Sequence, residues 1–227
     1  MRTRIWVAAI AAALVAGPVS AAEHGASKGN PEAGKKVVKQ GMEGNASVMA
    51  CQSCHQMSGK GQASANFPRL AGQNPKYMIK QLQNFAEGSR HNYPTMKTIA
   101  SGMINKDGEP KQVAYDVAAY FAQQDVEIAG ADADDQTLKM GERIVERGIP
   151  DKNVPACSSC HGPKGQGVPP VFPQVAGQHA SYIAKQLNDW EKGARENDPA
   201  NMMRDIAPEL SKEQRQAVGA YLSNIRM

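Results

Sequence analysis

The sequence predicts an all-α fold built from two tandem domains that are related by internal duplication. Three observations support this prediction: segments of the first half recur in the same order in the second half, apolar residues recur with a helical period, and the alternating pattern of β-strands is nearly absent. The stretches between the periodic segments are rich in Gly, Pro, Ser and Asn, as is typical of loops. Two copies of about 100 residues suit two globular units better than a solenoid, which needs three or more repeats.

The repeated segments divide the chain. FPRLAGQNPKYMIKQLQNF at 67–85 matches FPQVAGQHASYIAKQLNDW at 172–190, and AGKKVVKQG at 33–41 matches MGERIVERG at 140–148. The order of the segments is unbroken, and the acidic stretch between the copies has no sustained apolar period. We therefore predict a signal peptide at 1–21, an N-terminal domain at 22–124, an acidic linker at 125–136 and a C-terminal domain at 137–227.

Each copy contains one clear amphipathic helix and recognisable helix starts. Asn74 followed by Pro75 predicts the start of a helix, because a capping residue precedes proline at the first helical position. Ser211 and Gln214 predict a capping box at the start of the last helix. Apolar residues at i, i+4 and i+7 form one helical face in each copy; they are Met78, Leu82 and Phe85, matched by Ile183, Leu187 and Trp190.

The first residues have the pattern of a secretory signal peptide. Two arginines precede an apolar run over 5–16, and the small residues of Val19-Ser20-Ala21 fit a cleavage site. A membrane anchor is the alternative, but about twelve apolar residues are too few to span a bilayer. We therefore expect a mature protein in the periplasm, either soluble or peripheral at the membrane surface.

Two C-x-x-C-H motifs, CQSCH at 51–55 and CSSCH at 157–161, hold all 4 cysteines of the chain. A redox disulfide is one interpretation, but the β-α-β pattern of thioredoxin-like sites is missing and the histidine stays unexplained. Structural zinc needs four ligands, and neither copy has another cysteine. The third interpretation uses every residue, because two thiols at i and i+3 can attach one haem c and the adjacent histidine can ligate its iron.

Two haem groups would also make up for a shortage of core. Only 5% of the residues are aromatic, and a small helical unit with long loops and few large side chains has little apolar interior. We therefore predict two covalently bound haem c groups, with His55 and His161 as the proximal iron ligands. The predicted thioether residues are Cys51, Cys54, Cys157 and Cys160.

The sixth iron ligand decides whether such a site carries electrons or binds small molecules. Met96 and Met203 occupy matching positions in MKTIA and MRDIA, each in a polar, Pro/Asn-rich segment that we predict to be a loop where packing demands little. A single methionine is more often a core residue than a ligand, but the symmetry favours ligation, and we predict both as distal ligands. Met103 and Met202 are the neighbouring alternatives.

Each proximal histidine needs a hydrogen-bond acceptor on its second ring nitrogen to fix its tautomer. Pro68 and Pro173, in FPRLAGQ and FPQVAGQ, offer a carbonyl on a constrained backbone. We predict that they accept these bonds, and a simple loop kink is the alternative explanation for both. His24, His91 and His179 are interpreted as exposed polar residues, which leaves no symmetric pair for bis-histidine ligation.

These residues resemble the dihaem cytochromes c of the cytochrome c4 family. The resemblance covers essentially the whole mature chain and rests on the C-x-x-C-H motifs, the F-P-x-[LV]-A-G-Q segments, the Y-[MI]-x-K-Q-L helices and the MMRDIAPELS stretch. It implies two class-I-like cytochrome c domains related by a pseudo-twofold axis, with haem edges and propionates close to the domain interface. It also implies that His55 pairs with Met96 and His161 with Met203. Over HNYPTMKTIASGMINKDG, the first copy follows the methionine region of the second copy less closely than is usual between the domains of this family.

The leading hypothesis is an electron carrier without substrate chemistry of its own. Family members often serve terminal oxidases, so the expected partners are a quinol-oxidising complex or another donor, and a terminal oxidase or another acceptor. The alternatives are a dihaem peroxidase and the haem subunit of a periplasmic dehydrogenase, for example a sulfur-oxidising one. The formal net charge of +4 comes without any basic run, which indicates no nucleic-acid partner.

Overall fold

The computed structural model describes residues 29–127 and 129–226. The predicted signal peptide lies outside these residues. Within the two ranges the chain forms ten α-helices, short 3₁₀ turns and only isolated β-bridges, which confirms the all-α prediction. The helices of the first copy are α1 (Pro31–Gln40), α2 (Gln52–His55), α3 (Pro75–Glu87), α4 (Pro94–Met103) and α5 (Gln112–Ala122). Those of the second are α6 (Asp135–Arg147), α7 (Ser158–His161), α8 (Ala180–Glu191), α9 (Met202–Ile206) and α10 (Lys212–Asn224).

Each domain is organised around a close crossing of its first and last helices. The first helix meets the last at Gly34 in α1 and at Gly141 in α6. A Cβ atom at either glycine would lie 2.1 Å from a carbonyl oxygen of the opposite helix, that of Asp116 or of Ala217. Glycine therefore permits the close approach of the two backbones. Both glycines lie in the matched segments AGKKVVKQG and MGERIVERG, so the same crossing is repeated.

Apolar side chains fill a separate core in each domain. Phe121 and Met103 lie at the centre of the first core, and both are almost fully buried. Burying a side chain of this size contributes about 1.5–3 kcal/mol. The second core is built from the same helices of its own copy, with Ile144, Leu187 and Leu222 among its buried residues. No helix among the described residues is long and apolar enough to cross a bilayer.

The helix starts follow the signals in the sequence. Asn74 caps α3 with its side-chain oxygen, and Pro75 is the first helical residue. Ser211 and Gln214 form the predicted capping box of α10. The carboxylate of Asp134 caps α6, which begins inside the segment predicted as the acidic linker.

The two domains meet across a pseudo-twofold axis. Arg90 and Arg195, which are equivalent residues of the two copies, pair in an isolated antiparallel bridge. Arg195 donates to the hydroxyl of Tyr77 in the first domain, and Arg90 donates to the hydroxyl of Tyr182 in the second. These two contacts are thus equivalent when the domains are exchanged, as in an interface between two identical subunits.

Helix α6 begins at Asp135, so the last two residues of the predicted linker are helical. The linker also packs on the second domain through Gly130 and Ala131. The backbone N–H of Ala131 donates to the hydroxyl of Ser223, and Asn224 donates to the Ala131 carbonyl. Gly130 lies so close to Asn224 that a Cβ atom would meet its side-chain oxygen at 1.9 Å. The connection between the copies is therefore anchored to α10.

Candidate haem sites

Each C-x-x-C-H motif folds as one helical turn. Helices α2 and α7 hold the second cysteine and the histidine, and Cys51 and Cys157 precede them with helical backbone angles. The backbone N–H of His55 donates to the Cys51 carbonyl at 2.9 Å, and that of His161 to the Cys157 carbonyl at 2.9 Å. Residues at i and i+3 of a helix lie on the same face, and none of the four thiols forms a disulfide.

The first cysteine of each motif is largely buried, and this affects the state of its thiol. Burial raises the pKa of Cys51 and of Cys157 to about 11, so both remain protonated at neutral pH. Redox disulfides and zinc sites use the thiolate form. The part of the chain that the structure describes also contains no group of three or more Cys, His, Asp or Glu that could hold a metal ion. The described residues therefore offer no complete zinc site around either motif.

Both motif histidines direct one ring nitrogen at a proline carbonyl. Nδ1 of His55 lies 3.1 Å from the carbonyl oxygen of Pro68, and Nδ1 of His161 lies 2.9 Å from that of Pro173. Because a carbonyl can only accept, Nδ1 donates and Nε2 keeps its lone pair in a neutral ring. Burial lowers the pKa of both histidines, although the bond to the carbonyl opposes this effect. Each imidazole is therefore neutral, with one nitrogen available to a metal.

Two glycines allow the loop after each motif to approach these carbonyls. Gly61 and Gly167 have φ angles of +73° and +84°, and each donates its N–H to the carbonyl of its motif histidine. A Cβ atom on Gly61 would lie 2.4 Å from the carbonyl oxygen of Pro68, and one on Gly167 would lie 2.7 Å from the carbonyl carbon of Pro173. The Gly and Pro residues of each copy thus form one compact support for the histidine.

One continuous cavity of about 580 Å³ joins the two motifs. Both C-x-x-C-H turns line it, and so do the apolar faces of α3 and α8 that were predicted from the sequence. The cavity therefore belongs to both domains and crosses their interface. Its walls include the four cysteines, the two motif histidines, Pro68, Pro173, Met78, Leu82, Phe85, Ile183, Leu187 and Trp190.

The predicted distal methionines lie on the wall of the same cavity. The prediction that they lie in loops is wrong, because Met96 is in α4, which starts at Pro94, and Met203 is in α9. Both line the cavity. The alternatives Met103 and Met202 line it as well, but Met103 is only 1% exposed and packs within the first core. The structure thus brings every predicted axial residue to one cavity.

The other described histidines lie outside this cavity wall. His91 is exposed, as predicted. The prediction that His179 is an exposed polar residue is wrong, because it is buried at the domain interface. Its Nε2 lies 2.9 Å from the carbonyl oxygen of Lys60 in the other domain. His179 is therefore an interface residue, and His24 lies outside the described residues.

Sequence reasoning missed two buried arginines of the cavity wall. Arg90 and Arg195 are each 4% exposed and form no ion pair with a carboxylate among the described residues. Oε1 of Gln81 accepts from both guanidinium groups and from Asn197, at 2.8, 3.2 and 2.8 Å. Burial lowers the pKa of Arg195, and the positive charge of Arg90 lowers it further. The matching EGSR and KGAR segments were the available sequence signal.

Two polar atoms on the cavity wall are buried without a hydrogen-bond partner among the described residues. They are Oδ1 of Asn66 and Nε1 of Trp190. A buried donor without an acceptor costs about 1–3 kcal/mol. Haem c brings two propionate carboxylates and a large apolar ring. It would supply the negative charge that the two arginines lack, an acceptor for Trp190 and the missing core. The residues present therefore fit haem.

The fold and the paired site define a tandem c-type cytochrome. The sequence profile of the family described as Cytochrome c matches residues 31–125 and 141–226, once in each domain. The protein named Cytochrome c4 from Azotobacter vinelandii is 38% identical over 188 residues, which cover 80% of this chain and 87% of that protein. The chain belongs to the cytochrome c4 family of dihaem cytochromes c.

Other similar proteins include partners of an enzyme. The thiosulfate dehydrogenase electron acceptor of Stutzerimonas stutzeri (strain A1501) is 41% identical over 192 residues, which cover 85% of this chain and 86% of that protein. The crystal structure of reduced recombinant cytochrome c4 from Pseudomonas stutzeri has 35% identity and a TM-score of 0.73, over 87% of this chain and 100% of that one. The thiosulfate dehydrogenase (TsdBA) of Marichromatium purpuratum has 31% identity and a TM-score of 0.75 over 85% of this chain, which spans only 40% of that structure.

Family membership establishes the cofactor and the general function. The two cytochrome c domains, with one C-x-x-C-H motif each, carry two covalently bound haem c groups. The chain is a dihaem electron carrier, as the cytochromes c4 are. The predicted pair of cytochrome c domains is confirmed.

Proposed function

We propose that each haem is held by residues of a single domain and that the domains are those at 22–124 and 137–227, joined by the linker at 125–136. In each domain the two cysteines form thioethers, the adjacent histidine and a methionine ligate the iron, and a proline carbonyl orients the histidine. The convergence of each set on the same cavity is the observation that carries this proposal. The sets are Cys51, Cys54, His55, Met96 and Pro68, and Cys157, Cys160, His161, Met203 and Pro173.

When bound, haem c supplies a one-electron couple between ferric and ferrous iron. The residues around the haem set the reduction potential of that couple. The bond from the histidine Nδ1–H to the proline carbonyl fixes the imidazole and raises its basicity, and a methionine sulfur as the second axial ligand raises the reduction potential. The apolar cavity walls would keep water away from a bound haem, and Arg90 and Arg195 would neutralise its propionate carboxylates.

This set of residues supports electron transfer rather than catalysis on a substrate. Two strong axial ligands leave no open position on the iron, and iron in that state exchanges electrons instead of activating small molecules. We therefore propose that the protein is not itself an enzyme. We also propose that it is exported, that residues 1–21 are removed as a signal peptide, and that the mature protein works in the periplasm between a quinol-oxidising complex and a terminal oxidase.

A second candidate places the protein beside a dehydrogenase. It is favoured by the 41% identical relative that is named a thiosulfate dehydrogenase electron acceptor. In this candidate the protein accepts electrons from a thiosulfate-oxidising enzyme and passes them on. The site chemistry is the same for both candidates, since only the donor differs.

The axial assignment is tested by absorption spectra of the ferric and ferrous holoprotein, with and without carbon monoxide. Two low-spin haems that show methionine–iron charge transfer and ignore carbon monoxide are expected. Met96→Ala and Met203→Ala should each open one haem to carbon monoxide and leave the other unchanged. Met57→Leu is the control, because Met57 contacts the first core and is not part of the cavity wall. A high-spin haem in the unmodified protein would contradict the proposal.

The donor is tested by stopped-flow reduction of the oxidised protein. Purified thiosulfate dehydrogenase with thiosulfate is mixed with the protein in one experiment, and a quinol-oxidising complex with its quinol in another. Rapid reduction in the first mixture alone would support the dehydrogenase candidate. Rapid reduction in the second alone would support the respiratory role.

A further inference from the structure

We propose that Gln73 and Gln178 are positioning residues for the haem of the opposite domain, so that each domain adjusts the axial histidine of the other. The proposal rests on the proposed function, because it takes His55 and His161 as iron ligands. It goes further by assigning a crossed connection between the two redox sites. The link runs through hydrogen bonds of the domain interface.

Each glutamine makes two hydrogen bonds to the backbone of one residue in the other domain, one to its N–H and one to its C=O. Nε2 of Gln73 donates to the Gln174 carbonyl at 2.9 Å, and its Oε1 accepts from the Gln174 N–H at 3.1 Å. Gln178 repeats this with Arg69, at 3.0 Å and 2.8 Å. Both glutamines are 7% exposed, and buried paired amides of this kind fix the backbone that they contact.

The peptide group that each glutamine contacts is the one that supports the histidine. The N–H of Gln174 and the C=O of Pro173 belong to one planar peptide unit. Its N–H end donates to Gln73, and its C=O end accepts from Nδ1 of His161 at 2.9 Å. Gln178 is therefore connected in the same way, through the Pro68–Arg69 peptide, to His55.

This arrangement affects the histidine electronically as well as sterically. A peptide whose N–H is hydrogen-bonded becomes a better acceptor at its carbonyl, because bonds in a chain polarise one another. A stronger acceptor at Nδ1 makes the imidazole a more basic ligand, and a more basic ligand stabilises the ferric state. Loss of Gln73 should therefore raise the reduction potential of the haem at Cys157, and loss of Gln178 that of the haem at Cys51.

The crossed effect distinguishes this role from a merely structural one. Oε1 of Gln73 also accepts from the N–H of Asn74, and that of Gln178 from the N–H of His179, at 3.0 Å in both cases. If the glutamines only shaped the start of their own helices, substitution would disturb the haem of their own domain. If they only held the domains together, substitution would change both haems alike.

The test uses the full dihaem protein and the variants Gln73→Leu and Gln178→Leu. Spectroelectrochemical titration gives the two potentials, and NMR in the reduced protein follows solvent exchange of the Nδ1–H of each axial histidine. The haems are told apart by resonances that disappear in Met96→His or Met203→His. Gln83→Leu is the control, because it makes the same chemical change on the surface of the first domain, where Gln83 donates to the Gly108 carbonyl within its own domain.

The expected result is a change in the opposite haem. We expect about a threefold change in its one-electron equilibrium, which is about 28 mV at 59 mV per tenfold, with faster exchange of its Nδ1–H. A shift in the same-domain haem, an equal shift in both haems, or no shift would overturn the proposal. Failure of the proposed function is recognised separately, because the unmodified protein would then lack two low-spin His/Met spectra.

Discussion

A Cβ atom on Gly61 would lie 2.4 Å from the carbonyl oxygen of Pro68, the oxygen that faces Nδ1 of His55. Gly61→Ala should therefore push this carbonyl away from the histidine. Left-handed backbone strain costs about 1–2 kcal/mol, and overpacking adds about 1–3 kcal/mol. We expect a corresponding fall in the free energy of unfolding, measured by denaturant titration, together with a changed charge-transfer band from one haem.

Gly108→Ala is the control for this substitution. Gly108 has a φ of +87°, but a Cβ atom there would meet nothing within 4 Å. It should show the backbone strain alone and leave both haem spectra unchanged. Equal losses of stability in the two variants would contradict the importance of the close approach between Gly61 and Pro68.

The crossing of α6 and α10 leads to a second prediction. Gly141→Ala should destabilise the C-terminal domain by about 1–3 kcal/mol, because the new Cβ would lie 2.1 Å from the Ala217 carbonyl. In an ordinary helix interior the same change would stabilise by about 1 kcal/mol. Glu142→Ala, at the next and exposed position of α6, should change stability little. Chemical denaturation measures both, and a stabilised Gly141→Ala would refute the prediction.

Replacing one arginine of the pair Arg90 and Arg195 tests whether propionates lie beside them. The sign of the change in stability depends on whether those carboxylates are present. With carboxylates beside it, Arg195→Met should destabilise the holoprotein by about 3 kcal/mol, because it leaves a buried charge unpaired. It should also lower the haem potentials, since a positive charge that opposes ferric iron is lost. Without such carboxylates, the change would relieve repulsion between Arg90 and Arg195 and stabilise the protein. Denaturation and redox titration of the holoprotein distinguish these two outcomes. Arg143→Met is the control, because Arg143 is exposed.

The buried His179 predicts a pH dependence of stability. Burial lowers its pKa below the usual value of 6.5, and the positive charges of Lys60 and Arg69 add to this effect, although the bond to the Lys60 carbonyl opposes it. The unfolded chain therefore binds a proton more readily, and this stabilising contribution is present above pH 6.5 and is lost as the pH falls below it. His179→Asn should reduce the slope of unfolding free energy between about pH 7 and pH 5. An unchanged slope would show that His179 does not contribute.

The sequence was most informative where one local pattern determines one local structure. The capping signals at Asn74 and Ser211 and the helical spacing of α3 and α8 depend on neighbours in the chain, so they could be predicted. The C-x-x-C-H turns are equally local, and their duplication removed the ambiguity of a single motif. Family resemblance then supplied the pseudo-twofold arrangement.

What could not be predicted depends on contacts between distant segments. The burial of His179 and the pairing of Arg90 with Arg195 arise only when the domains dock, and no periodicity within either copy indicates them. Gly34 and Gly141 had a visible signal in their repetition. Their function nevertheless requires knowing which helix lies across from them, and that is a property of the tertiary fold.

The pairing of Arg90 with Arg195 has a consequence for how this protein can change. In an interface between identical subunits, every substitution appears on both sides of the axis at once. Because the two sides here belong to one chain, each can be altered alone. Asn74 caps its helix while its counterpart His179 reaches across to Lys60. One ancestral surface has thus become two surfaces that can change separately. The two haems can therefore acquire different reduction potentials.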